Sequence, residues 1–269
     1  MSDKERLDIL LTEKNFFDSR ARAKTMIMMG KILVNGQKIE KAGTLIPRDA
    51  EIQILGEKIP FVSRGGLKLQ KALKVFSIDL NGKVAADVGA STGGFTDCML
   101  QSGAAKVYAI DVGYGQLAWK LRQDERVVNL ERTNIRNVTP DFFSEPPEFV
   151  SIDAAFISLD KILPVVAEFI REDGEVVALI KPQFEAGREH VGKKGVVRDK
   201  KIHAAVIEYV LNFAGTVGFK ICDLDFSPIK GPEGNIEYLA HLSKNPGAEE
   251  INFAEKINSV VESAHGNLK

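Results

Sequence analysis

The run Val84-Ala85-Ala86-Asp87-Val88-Gly89-Ala90-Ser91-Thr92-Gly93-Gly94-Phe95 constrains the fold more than any other segment. It reads as an apolar strand, a glycine-rich turn and the start of a helix. Glycines in that place let the backbone turn tightly and come close to a ligand at the carboxyl end of a strand. The texture repeats downstream. Residues 84–88, 106–110, 127–130, 149–152 and 176–180 read as strands, and 95–101, 117–122, 159–169 and 201–213 as helices. Near-continuous apolar strands alternating with helices predict an α/β fold whose mostly parallel sheet is covered on both faces. Two last strands, at 220–226 and 237–242, are joined by a short connection rich in Pro and Gly with no helix, so they are expected to pair antiparallel.

With 44% hydrophobic and 27% charged residues the chain can bury a sizeable core, which excludes a disordered, collagen-like or disulfide-scaffold protein. Cys98 and Cys222 stand alone, with no Cys or His at ligand spacing, so no metal is expected and a reducing cytoplasm fits better than export. The N-terminus carries charges of both signs and no apolar core, unlike a signal peptide, and no run reaches the roughly 18 apolar residues of a membrane span. Asn137-Val138-Thr139 is then a chance match to a glycosylation acceptor. Charge is unevenly spread: residues 1–74 hold 15 Lys/Arg against 9 Asp/Glu, a net of +6, and the remainder nets −7. A basic module joined to an acidic one suggests a phosphate-bearing partner.

In the basic part, residues 6–14 read as a short amphipathic helix with Leu7, Leu10 and Leu11 on one face. Asp18 or Ser19 can cap a second helix running to about Met29 and stopped by Gly30. Arg20, Lys24 and Lys31 recur on its outer side. A hairpin follows around Asn35-Gly36, with further strands expected at 51–55 and 59–62. Ser19-Arg20-Ala21-Arg22-Ala23-Lys24 followed by Gly30-Lys31-Ile32-Leu33-Val34-Asn35-Gly36 resembles the S4 RNA-binding domain. That resemblance implies contact with structured RNA through the second helix and the next loop. Arg6, Arg20, Lys24 and Lys31 there would meet phosphates rather than read bases. Lys14 and Lys41 are better read as solvated surface charge.

The glycine loop does not fit a dinucleotide fingerprint, because Ser91 stands where the second glycine belongs, nor a P-loop, because Phe95 follows Gly94. It resembles the S-adenosylmethionine loop of class I methyltransferases. That implies cofactor contacts from Asp87, Gly89, Ala90, Ser91, Thr92, Gly93, Gly94 and Phe95. Asp111 and Val112 end the second strand, where a carboxylate can accept hydrogen bonds from both ribose hydroxyls. Gly113 and Gly115 read as loop formers.

Four polar residues stand at strand or domain edges: Lys68 after Ser63-Arg64-Gly65-Gly66, Asp153 after Ile152, Lys181 after Ile180, and Glu237 after Ile236. A lysine ending an apolar strand needs carboxylate partners or a catalytic task. Strands one, four, five and seven of such a sheet can be neighbours. The set resembles the Lys-Asp-Lys-Glu tetrad of the FtsJ-like RNA ribose 2′-O-methyltransferases, and an S4 domain ahead of that domain resembles the TlyA family. Ser63-Arg64-Gly65-Gly66-Leu67-Lys68, Asp111-Val112-Gly113-Tyr114-Gly115-Gln116-Leu117 and Lys181-Pro182-Gln183-Phe184-Glu185 are similar to that family too. Residues 246–269 read by composition as a polar tail with a short helix expected at 252–263. The resemblance, over about residues 4–243, implies an S4 domain at 1–60, a linker at 61–66 and a methyltransferase domain at 67–245. It implies S-adenosylmethionine as cofactor and a cytidine 2′-hydroxyl of ribosomal RNA, in a subunit or whole ribosome, as substrate. The chemistry requires linear alignment of oxygen, carbon and sulfur and an acceptor for the hydroxyl proton. On this reading Lys181 is the general base or orients the hydroxyl, Lys68 positions the ribose, and Glu237 and Asp153 hold the lysines. Asp153 is also expected to touch the cofactor.

Phe156 and Phe184 suit either core packing or stacking on adenine or on an extracted cytosine. Arg64, Arg132, Arg188, Lys193 and Lys194 are candidates for an RNA path, with residues 187–198 expected to form a mobile loop. His190 and His203 are read as surface residues, and Tyr108 and Trp119 as packing. Two rival functions remain: an RNA-binding ribosome-assembly factor without turnover, and an exported pore-forming hemolysin.

Overall fold

The structure is a computed structural model that describes residues 4–14, 16–17, 19–55, 59–192 and 194–268; Asp18 and Lys193 therefore lie outside the described residues. The chain divides into two compact units, Met1–Lys58 and Ile59–Lys269.

The first unit begins with strand β1 (Lys4–Arg6), which leads directly into α1 (Leu7–Glu13), and α2 follows (Arg20–Met28). Ser19 caps α2, its hydroxyl accepting from Arg22 N–H at 3.3 Å. Strands β2 (Ile32–Val34) and β3 (Gln37–Ile39) form a hairpin turning at Asn35 and Gly36, both at positive φ (49° and 77°) as a two-residue turn with the sheet's twist requires. β4 (Leu45–Pro47) pairs with β1, and β5 (Ile52–Ile54) with β2. Leu7, Leu10 and Leu11 pack with Phe17, Ala23, Ile27, Ile32 and Val34 as a separate core. β1 and β4 are additions to the sequence reading; residues 59–62 form no strand but bends at 60–62, and Phe61 and Val62 are buried in the second unit's own core.

The second unit opens with α3 (Gly66–Val75), followed by β6 (Val84–Val88), α4 (Gly94–Gln101), β7 (Lys106–Ile110), α5 (Trp119–Arg122), β8 (Val127–Leu130), β9 (Phe149–Ile152), α6 (Leu163–Phe169), β10 (Glu175–Ile180), α7 (Pro182–Glu185), α8 (Lys200–Thr216), β11 (Lys220–Phe226), β12 (Tyr238–Ser243) and α9 (Phe253–Asn267). Seven strands form one sheet in the order β11-β12-β10-β9-β6-β7-β8. β12 enters antiparallel between β10 and β11, and the remaining pairs are parallel. Alternate strand residues feed opposite faces: Val176, Ala178 and Ile180 join α6, α8 and α9, while Val177 and Leu179 join α3, α4 and the residues around α5.

Three sequence expectations are corrected here. The C-terminal segment is no polar tail, since Ile257, Val260, Val261 and Ala264 of α9 are buried in the main core. His203 is buried, not superficial, and its ring is placed between Tyr238 Oη (2.6 Å from Nδ1) and the Val197 carbonyl (3.0 Å from Nε2). Trp119 is 71% exposed, so it does not pack in the core; Tyr108 does. Among the described residues no helix is long and apolar enough to cross a membrane.

Candidate active site

The parallel strands deliver Gly89 after β6, Asp111 after β7, Asp153 after β9 and Lys181 after β10 to one edge of the sheet. The antiparallel β12 starts at that same edge, because Ile180 is registered with Tyr238, and this sets Glu237 beside the end of β10. Lys68 arrives from α3, whose first turn touches that of α4. A Cβ on Gly66 would lie 2.4 Å from the Phe61 ring and 2.7 Å from the Gly94 carbonyl oxygen, so glycine is what permits the approach.

The four side chains form an alternating chain of charge. Lys68 Nζ lies 2.6 Å from Glu237 Oε2 and 3.4 Å from Asp153 Oδ2, and Asp153 Oδ1 pairs in turn with Lys181 Nζ. Lys181 also donates to the carbonyl oxygens of Asp153 (3.2 Å) and Ala154 (2.9 Å). Lys68, Lys181 and Glu237 are all buried. Burial alone would lower the Lys68 pKa, but the Asp153 and Glu237 charges outweigh it and the net shift is upward. Lys68 is therefore a fixed ammonium, fit to stabilise negative charge and unfit to accept a proton.

Two cavities meet at Gly89 and Asp153. One, of about 560 Å³, is lined by the tetrad and by Gly89, Ala90, Ser91, Thr92, Gly94 and Phe95 of the glycine loop. The other, of about 580 Å³, is lined by Asp111, Val112, Asn134 and Ile135 as well as Ser91. Both are sized for a cofactor or a nucleotide. Gly89 has φ 90°, and a Cβ there would lie 2.8 Å from the Asp153 carbonyl oxygen. Asp111 ties the loop down, accepting from Ser91 N–H (2.8 Å) and Gly113 N–H (2.7 Å). Asp87 lines neither cavity: it is fully buried, accepts from Thr96 N–H (2.9 Å) and Thr96 Oγ1 (2.6 Å), and braces the start of α4. Burial pushes its carboxyl up to about 7, against the hydrogen bonds from Thr96 and Ser151. Gly93 also lines neither cavity and sits against Leu117 and Leu121. For Asp87 and Gly93 the structure thus shows a supporting place in the loop where a cofactor contact was expected.

Phe156 borders both cavities, is 91% exposed, and its ring lies 5.1 Å from that of Phe184. Of the basic candidates in this unit, Arg64, Arg132, Arg188 and Lys194 are exposed, and the Arg132 guanidinium sits 3.9 Å over the Tyr114 ring. In the first unit Lys24 and Lys31 are exposed, whereas Arg6 and Arg20 both pair with buried Asp8, at 3.0 and 2.9 Å. These two arginines have a structural task that charge counting did not show.

Sequence reasoning missed Asn235. It is buried, and its side chain accepts from Val197 N–H (3.1 Å) and donates to the Gly195 carbonyl (2.8 Å). That fixes part of the segment 187–198, whose residues Val191 and Gly195 wall the first cavity. The available signal was its place two residues before Glu237.

Residues 61–244 match the FtsJ-like methyltransferase family, and residues 5–52 match the S4 domain. The 16S/23S rRNA (cytidine-2′-O)-methyltransferase TlyA of Mycobacterium tuberculosis is 40% identical over 90% of this chain and 91% of its own. Hemolysin A of Brachyspira hyodysenteriae is 42% identical over 88% of this chain and 99% of its own. A solved structure from Streptococcus thermophilus, provisionally named a hemolysin, superposes with a TM-score of 0.79 at 48% identity, covering 99% of this chain and 98% of that one. With the tetrad at one sheet edge and a match across most of its length, the chain belongs to the FtsJ-like methyltransferase family, with an S4 domain ahead of the methyltransferase domain.

Proposed function

We propose that the protein methylates the ribose 2′-hydroxyl of a cytidine in ribosomal RNA, using S-adenosylmethionine. The observation that carries this reading is the buried Glu237–Lys68–Asp153–Lys181 chain bordering a cavity continuous with the glycine loop. The residues fit the cofactor: the glycine loop and the half-buried Asp111 carboxylate line two cavities that meet at Gly89 and Asp153. Gly89, Ala90, Ser91, Thr92, Gly94, Phe95, Asp111, Val112 and Asp153 would hold it. When bound, it supplies a methyl group on a sulfonium, an electrophile that needs no further activation.

The chain's own residues must handle the nucleophile. A ribose hydroxyl reacts poorly at neutral pH, so its proton has to leave as the new bond forms. Lys181 orients the hydroxyl, and it is the acceptor for that proton once it has given up one of its own. Lys68, held as an ammonium, steadies the charge that develops on the ribose oxygen. Glu237 and Asp153 fix the two lysines, and the Phe156–Phe184 pair stacks on an extracted base. Lys24 and Lys31 of the S4 domain, with Arg64, Arg132 and Arg188, meet RNA phosphates and position the substrate. Such a substrate places the enzyme with ribosomes in the cytoplasm.

Lys181→Ala tests the assignment. It should abolish methyl transfer to ribosomal subunits while leaving S-adenosylmethionine affinity within about threefold. Near-normal turnover by this variant would refute the role of Lys181. Subunit binding without turnover by the wild-type protein would favour an assembly factor, and lysis of cells by the purified protein would favour the hemolysin reading.

A further inference from the structure

Phe156 combines two unfavourable features. Its φ of 62° lies in the left-handed region, and its side chain is almost wholly exposed. A bulky residue keeps such a backbone only where its surroundings impose it. Both restraints come from one short segment, residues 181–185. At the near end Lys181 Nζ donates to the carbonyls of Asp153 and Ala154. At the far end the Glu185 carboxylate accepts from Ser158 Oγ at 2.5 Å and from Leu159 N–H at 2.9 Å. Between them the Phe156 ring meets Phe184, the residue before Glu185, at an interplanar angle of 53°.

Glu185 is not a local helix cap. The short helical turn Leu159–Lys161 has its own cap in Ser158, whose hydroxyl accepts from Asp160 N–H at 3.4 Å. Glu185 instead comes from α7, after the neighbouring strand, and ties two loops together. It is partly buried and set among hydrogen-bond donors, a costly place for a carboxylate that does nothing.

We propose that Glu185 is a positioning residue of the substrate site: it closes the far end of the 153–158 loop and so presents Phe156 outward, where it stacks on an unpaired base of the RNA. This rests on the functional reading above. Lys181 sets the start of the loop and belongs to the tetrad; Glu185 sets its end and lines neither cavity.

A double-mutant cycle tests it. F156A, E185A, F156A/E185A and E185Q would be compared with the wild type for kcat and KM on ribosomal subunits, with cofactor affinity and melting temperature measured alongside. E185A and F156A should each raise the subunit KM about tenfold, and the double variant should be no worse than F156A alone, since coupled residues are not additive. Cofactor affinity should not move. E185Q, whose amide can accept from Leu159 N–H and still bond Ser158 Oγ, should keep KM within about threefold of wild type. Additive losses, or a lowered melting temperature with KM unchanged, would overturn the assignment. A wild type that transfers no methyl group would instead sink the functional reading. Subunit affinity then decides on Glu185, and equal affinity of E185A and wild type would overturn its role there as well.

Discussion

The Lys68 ammonium is held 2.6 Å from the Glu237 carboxylate, a buried pair drawn from the first helix of its unit and the turn that starts the last strand. Its geometry depends on β12 running antiparallel, which puts the start of that strand at the edge where the parallel strands end. Removing Glu237 leaves buried Lys68 with only the more distant Asp153 carboxylate, at 3.4 Å. Glu237→Ala should cost about 3–5 kcal/mol of stability, as breaking a buried ion pair does. Glu237→Gln should retain more of the stability yet still lose most of the transfer rate. Urea unfolding and turnover, measured on both variants, check this; a stable and active Glu237→Ala would contradict it.

Gly66 should tolerate no side chain. Gly66→Ala pushes a methyl group into the Phe61 ring and the Gly94 carbonyl, parting α3 from the start of α4. Loss of cofactor affinity by about tenfold or more is expected, because the glycine loop and Lys68 shift together. Calorimetry with S-adenosylmethionine measures it.

Asp87 gives stability a pH dependence of definite sign. Its carboxyl is pushed up to about 7 in the fold by burial, against about 3.9 in an unfolded chain. Between those values the unfolded state has lost a proton that the folded state keeps, so this contribution is full below about pH 3.9 and is lost as pH rises to about 7. Asp87→Asn should therefore flatten the fall in melting temperature between pH 5 and 7 relative to wild type. Parallel melting curves for the two proteins would expose the wrong sign.

The first unit separates structural from RNA-facing charge. Asp8 is held down to about 2, chiefly by the hydrogen bond from Arg6, with Arg20 adding to it. Its contribution to stability is present above the ordinary carboxylate range and is lost as pH falls toward 2. Asp8→Asn should thus lower stability at neutral pH. Lys24→Glu with Lys31→Glu should leave stability unchanged but weaken subunit binding and reduce its salt dependence by about two charges. Binding titrations at several salt concentrations distinguish the two effects.

Periodicity and punctuation made most of the second unit's sheet legible, since buried parallel strands such as 84–88 and 176–180 write themselves as apolar runs ended by Gly or Lys. Asp153, Lys181 and Glu237 stand out at the ends of apolar strands, whereas Lys68, after Ser63-Arg64-Gly65-Gly66, joins them only through the family resemblance. What stayed hidden depends on contacts distant in sequence. Arg6 and Arg20 looked like surface charge because their partner Asp8 is buried by the fold. His203 lies in an amphipathic helix, and only the packing of α8 on β12 shows that it meets Tyr238. Asp87 stands just ahead of the glycine loop that resembles the cofactor loop, but its carboxylate is buried and accepts from Thr96 and Ser151, contacts that no local pattern shows.

The most direct measurement is transfer itself. Ribosomal subunits from cells lacking this gene would be incubated with the pure protein and labelled S-adenosylmethionine, and the product mapped by resistance of the methylated phosphodiester to nuclease and alkali. The account predicts label at a cytidine 2′-oxygen, absent with Lys181→Ala. Label on a base, or none with intact cofactor binding, would contradict it.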